Sequence, residues 1–178
     1  MPNVNAATRA RIKAAAARLD YVASPSASRL ASGRTGSIAV ITPYISRWYF
    51  ATVLSGVESV LQAAGMDLLL LGVVESAAPS DQPSAAQRLR RRVDGALIIA
   101  MPPTDPQITE VLDLGLPTSL VGVTLEGVPG VAIDDVQAAR QATQHLVNLG
   151  HERIGMIGGS TVEAHFTAET DRERGFRE

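Results

Sequence analysis

Trp48, Tyr49 and Phe50 stand side by side in a chain that holds only one tryptophan, three tyrosines and three phenylalanines. Aromatic faces gathered in one loop suit stacking on a sugar or a nucleobase, a common arrangement in small-molecule pockets. Phe50 also opens an apolar helical stripe, so its ring can equally belong to a core. Provision for catalysis is poor. The chain has no cysteine, which removes disulfides, thiolate zinc sites and a thiol nucleophile. Its three histidines, His145, His151 and His165, come with no Ser-His-Asp spacing, phosphate loop or metal motif. Gly158-Gly159-Ser160 lacks the lysine that a phosphate loop needs. These residues point to binding rather than to an enzyme, and they imply no cofactor.

A second chemistry is carried by charge. Residues 1–34 contain Arg9, Arg11, Lys13, Arg18, Arg29 and Arg34 against the single acid Asp20, a net of +5, which leaves −7 on the remainder. A basic arm on an acidic body suits an anionic partner, although a solvated helix face has the same composition. With 178 residues, 46% hydrophobic and 19% charged, the chain has the material for a packed core. No apolar run is long enough to span a membrane, and no apolar signal core opens the sequence, so the expected location is cytoplasmic.

The elements that must position these residues are legible from periodicity. Asn5 is placed to cap a first helix whose apolar stripe is Ile12, Ala16 and Leu19. That stripe is too narrow to be a core by itself. Pro25 disfavours helix at Ser24. Residues 26–32 then allow two turns of helix ended by Gly33, too short to be stable alone. From Gly36 the pattern alternates. Apolar runs at 37–41, 67–74, 95–100, 118–123, 131–133 and 153–157 read as strands. The intervening helices are expected near 50–64, before and through Arg88-Leu89-Arg90-Arg91-Arg92, and over 105–114 and 135–149. Another begins at the C-terminal end. Repeated β–α units predict an α/β fold with a parallel sheet and helices on both faces. Ligands in such sheets bind beyond the carboxyl ends of the strands.

Several motifs in order then carry a resemblance. They are Asn3-Val4 with Thr8-Arg9-Ala10-Arg11-Ile12, Leu19-Asp20-Tyr21, Ala27-Ser28-Arg29-Leu30 and Gly33-Arg34-Thr35-Gly36. Further on stand Arg91-Arg92-Val93-Asp94-Gly95, then His145-Leu146 with Leu149-Gly150-His151-Glu152-Arg153-Ile154. Ile157-Gly158-Gly159 and Arg172 with Gly175-Phe176 complete the set. In this order they resemble the LacI/GalR family of bacterial transcription regulators over residues 2–178. The resemblance implies a periplasmic-binding-protein-like, doubly wound parallel sheet. Residues 1–24 would be the remnant of a helix-turn-helix headpiece, 25–35 a hinge helix and linker, 36–131 the N-terminal subdomain of a ligand-binding core, and 132–178 the start of a truncated C-terminal subdomain. On this expectation the chain is a fragment lacking the first two headpiece helices and the second half of the core.

The resemblance also implies roles. Paired hinge helices of a homodimer would lie in the minor groove of operator DNA, with Leu30 as an apolar wedge that opens a base step. Ala27 is small enough for close approach, and Ser28 and Arg29 flank it. Asn3, Asn5, Thr8 and Ser24 match positions near phosphates, where contacts orient a protein without reading bases. The family's usual proline at position 23 is displaced here to Pro25, which weakens the match at Ser24. The loop 46–50 matches an effector-binding segment, assigning Tyr49 and Phe50 to a small-molecule effector, most simply a carbohydrate. Arg172 matches an effector contact, its guanidinium suited to paired hydroxyls or a carboxylate. Gly122 stands where relatives often carry an aspartate, and Asp134 and Asp135 read first as helix-start residues. The expected function is a repressor-type, DNA-binding regulator controlled by a small molecule. The alternatives are a periplasmic-type sugar-binding protein, which would need an export signal, and an inactive truncated fragment.

Overall fold

Apolar side chains on both faces of one short strand mean that the strand is covered on both sides. The computed structural model, which describes residues 5–19, 33–73, 83–158 and 167–178, has this arrangement at the centre of a parallel sheet. Its elements are α1 (Ala6–Arg18), β1 (Ser37–Thr42), α2 (Trp48–Ala63), β2 (Asp67–Gly72), α3 (Ala85–Leu89) and β3 (Gly95–Ile99). They continue with α4 (Pro106–Leu112), β4 (Thr118–Val121), β5 (Gly130–Val131), α5 (Asp135–Asn148) and α6 (Thr167–Arg177). The strand order is β2-β1-β3-β4-β5, and every pairing is parallel.

The two-residue period of the strands divides the core. On one face Ala39, Ile41, Leu71, Ala96, Ile98 and Leu120 pack with Leu89 of α3 and Ile108 and Val111 of α4. On the other, Val40 and Ile99 pack with Phe50, and Val53, Leu54 and Val57 of α2 close over them. The helices start where local chemistry satisfies their free N–H groups. Ser84 and Gln87 form a reciprocal capping box at α3. Asp105 caps α4 ahead of Pro106, and Asp134 caps α5 by accepting from the Gln137 amide at 2.9 Å.

The chain divides into two compact units, Met1–Thr35 and Gly36–Glu178. In the first, Asn5 caps α1 as expected, its side-chain oxygen accepting from the Thr8 amide at 2.8 Å. Ile12 and Leu19 of the narrow stripe are exposed, and α1 buries no residue. Asn3, Ser24, Ala27, Ser28, Arg29 and Leu30 lie outside the described residues.

Two expectations are corrected. The segment 153–157 is not a strand: it joins no ladder among the described residues, and Ile157 is fully exposed. An apolar run becomes a strand only when a neighbour takes up its backbone hydrogen bonds, and none among the described residues pairs with this one. The helix before β3 does not continue through Arg92 but stops at Leu89. Arg91 has φ 61, which a right-handed helix cannot accommodate.

Candidate effector site

In a sheet of order 2-1-3-4-5 the connections leave β1 and β3 in opposite directions, which opens a crevice at their carboxyl ends. The aromatic loop is built there. Thr42, the last residue of β1, is fully buried, and its hydroxyl donates to the Tyr44 carbonyl at 3.0 Å, turning the chain. The Arg47 guanidinium lies over the Tyr44 ring, 3.7 Å from its centroid, a cation–π contact that closes the loop. Arg47 is also the N-cap of α2, so Trp48, Tyr49 and Phe50 form the first turn of that helix.

The three aromatics have different fates. Phe50 is 5% exposed and sits in the core beside Val40 and Ile99. It meets Tyr44 edge-on at 5.7 Å and Tyr49 edge-on at 5.2 Å, so it supports both tyrosines from below. Tyr49 is 37% exposed and Trp48 81%. Tyr49 leans along the carboxyl edge toward β4. A Cβ built on Gly122 would lie 3.0 Å from the Tyr49 hydroxyl and 3.5 Å from Ala100 Cβ. Gly122 has φ 81 and Ala100 φ 51, two left-handed residues side by side just past β4 and β3. Their amides remain tied to the sheet: Ala100 N donates to Val121 O at 2.7 Å, and Gly122 N to Val131 O at 2.8 Å. The space that a side chain at position 122 would fill is thus taken by the Tyr49 phenol.

Arg172 belongs to a separate group. Its Nε donates to Asp135 Oδ1 at 2.7 Å, and the carboxylate is largely buried while the arginine is half-exposed. Its other guanidinium N–H groups have no protein partner among the described residues. Arg172 and Phe176 line an apolar groove of about 360 Å³ against α5 and residues 154–156. The pairing of α5 and α6 depends on Gly175, since a Cβ there would collide with the Val136 carbonyl.

The structure therefore brings Tyr49 and Phe50 together and holds Arg172 elsewhere, on Asp135. Sequence reading did not anticipate the contact of Tyr49 with Gly122 or the Asp135–Arg172 bond. The missing aspartate at Gly122 was the available signal for the first. No group of three or more His, Cys, Asp or Glu able to hold a metal occurs among the described residues.

The family model for periplasmic binding proteins and the sugar-binding domain of the LacI family matches residues 35–178. The chain belongs to this family. The HTH-type transcriptional regulator AglR of Rhizobium meliloti is 32% identical over 98% of this chain and 49% of its own length. The solved complex of the transcriptional regulator CelR with cellobiose is 28% identical, with a TM-score of 0.63 over 99% of this chain and 53% of that one. A transcription-regulator-like protein from Staphylococcus haemolyticus, 23% identical, shares the fold with a TM-score of 0.70 over 81% of this chain and 56% of that one. The chain spans about half the length of the curated relatives it matches. No helix among the described residues is long and apolar enough to cross a membrane.

Proposed function

We propose that this chain is part of a cytoplasmic, DNA-binding transcription regulator of repressor type, whose affinity for an operator is set by a small carbohydrate. The observation that carries the reading over a periplasmic-type binding protein is the extent of the likeness. It covers 98% of this chain against AglR, and so includes the basic residues 1–34 as well as the domain that begins at residue 35. The solved complex of CelR with cellobiose supports a saccharide as the effector class. The role is binding and not catalysis.

In this reading Tyr49 presents its half-exposed ring to the effector, Phe50 holds it from the core, and Arg172, oriented by Asp135, offers its remaining N–H groups to sugar hydroxyls. Asn3, Asn5, Thr8 and Ser24 contact phosphates. Ala27, Ser28, Arg29 and Leu30 form the minor-groove element, with Leu30 as the wedge. Dimerisation is supported by β2, which no other strand flanks on its outer side among the described residues, and by the exposed Val60 on the neighbouring α2.

The chain's only tryptophan, Trp48, adjoins Tyr49 and reports on the site directly. Titration of the protein with a panel of mono- and disaccharides should give a saturable change in its emission for at least one sugar. Tyr49→Ala should weaken that sugar about tenfold or more, a loss of about 1.4 kcal/mol. A panel without any saturable change would refute the carbohydrate reading.

A further inference from the structure

The aromatic first turn of α2 occupies the carboxyl edge of the sheet, while a concentration of positive charge lies at the opposite edge. Arg88, Arg90, Arg91 and Arg92 fall within five positions of a unit, residues 36–178, that carries net −7, and all four are exposed. The connection through α3 carries the chain from the carboxyl end of β2 to the amino end of β3. The arginines between Leu89 and Gly95 therefore lie at the amino edge. The chain enters the domain at that same edge: Gly36 N donates to the Asp94 carboxylate at 2.8 Å, and Asp94 N donates to Ser37 O at 2.8 Å. Arg92 is two residues from the point where the basic N-terminal segment joins the sheet.

The four arginines are not equivalent. Arg90 shares a cleft with Glu110 and Asp113, which offset its charge. Arg91 and Arg92 form no ion pair among the described residues, and the Arg92 guanidinium donates only to the Arg88 carbonyl, at 3.3 Å. Arg91 holds the left-handed φ of 61, a conformation that glycine adopts without strain and that a residue with a Cβ does not. A cation is thus presented on a strained turn where glycine would be the relaxed choice, and such outliers cluster at functional positions.

We propose that Arg91 and Arg92, at the amino edge of the sheet, are a second contact to the DNA backbone. The inference rests on the regulator reading. The covalent reach permits it: five residues lie between Leu30 and Gly36, so at most about 22 Å of extended chain joins them. Duplex DNA offers a phosphate every ~1.7 Å along its axis. Phosphate contacts hold the protein in place without reading bases, so these arginines add affinity and salt dependence but no sequence preference.

The test uses the complete gene product that carries this chain and a duplex that the wild type selects from a random-sequence pool. Affinity is measured by fluorescence anisotropy between 50 and 200 mM KCl, a range chosen because the phosphate term changes steeply across it. The double variant Arg91→Gly, Arg92→Gln should flatten the plot of log affinity against log salt by about 0.9 per lost phosphate contact, roughly 2 for one protomer and up to about 4 for a dimer. Its base preference should be unchanged. Arg91→Gly alone should keep or raise the thermal midpoint, which separates lost contact from lost fold. Parallel salt plots for wild type and double variant would overturn the proposal while leaving the regulator reading intact, and would leave the arginines to an acidic protein partner. Altered preference at a single base pair would overturn it in favour of direct readout. Failure of the wild type to select any duplex would overturn the regulator reading itself, and this inference with it.

Discussion

Replacing Gly122 with alanine tests the geometry of the carboxyl edge most sharply. Two costs follow from the structure. The residue sits at φ 81, and a Cβ in left-handed backbone costs roughly 1–2 kcal/mol. The new methyl would also lie 3.0 Å from the Tyr49 hydroxyl and 3.5 Å from Ala100 Cβ. Tyr49 is partly exposed and contacted at its far end, so it can swing aside at an off-rotamer cost of about 0.5–1.5 kcal/mol. The sum is about 1.5–3.5 kcal/mol, which for a domain of this size lowers the thermal midpoint by roughly 3–14 °C. Calorimetry of wild type, Gly122→Ala, Tyr49→Phe and the double variant separates the two costs. With the hydroxyl gone, the glycine substitution should retain only its backbone cost. The coupling between the two changes should then be about 0.5–1.5 kcal/mol, within the range of contacting residues. Zero coupling would show that the Tyr49 hydroxyl does not occupy the space above Gly122, and the described site would be wrong.

Other perturbations have distinct signatures. Gly175→Ala drives a methyl into the Val136 carbonyl and should separate α6 from α5; overpacking of this kind costs about 1–3 kcal/mol, visible as a lower midpoint and as raised amide exchange in residues 135–148. Asp135→Asn removes the charge that holds Arg172. Because Arg172 is half-exposed, the stability change should stay below about 1 kcal/mol, whereas effector affinity measured through Trp48 should fall several-fold. Equal effector affinity in wild type and Asp135→Asn would separate Arg172 from the effector.

The sheet was legible because its strands are short apolar runs punctuated by Gly and Pro, and the division of faces at Ala39–Val40–Ile41 follows from backbone period alone. Asn5 was legible as a cap for a similarly local reason: one side chain three residues from the amide it serves. What escaped was long-range. The run Arg153-Ile154-Gly155-Met156-Ile157 has the composition of a strand, but ladder formation depends on a neighbour that composition does not reveal. Phe50 satisfied both the stacking and the core pattern, and only the position of Val40 and Ile99 placed it in the core. Gly122 looked like a lost polar contact; its meaning depends on Tyr49, 73 positions away in sequence. Arg172 likewise shows its partner only when α5 and α6 are packed together.

The central proposal is that a sugar bound near the aromatic first turn of α2 changes the hold of the basic N-terminal segment on DNA. The most direct measurement is the anisotropy of a labelled duplex, selected by the complete gene product, titrated with the saccharide that saturates the Trp48 signal. Coupling between two such sites is typically about 1–3 kcal/mol, a 5- to 150-fold change in DNA affinity in either direction. The account predicts a shift in that range. A saccharide that saturates the Trp48 signal while leaving DNA affinity unchanged would contradict it.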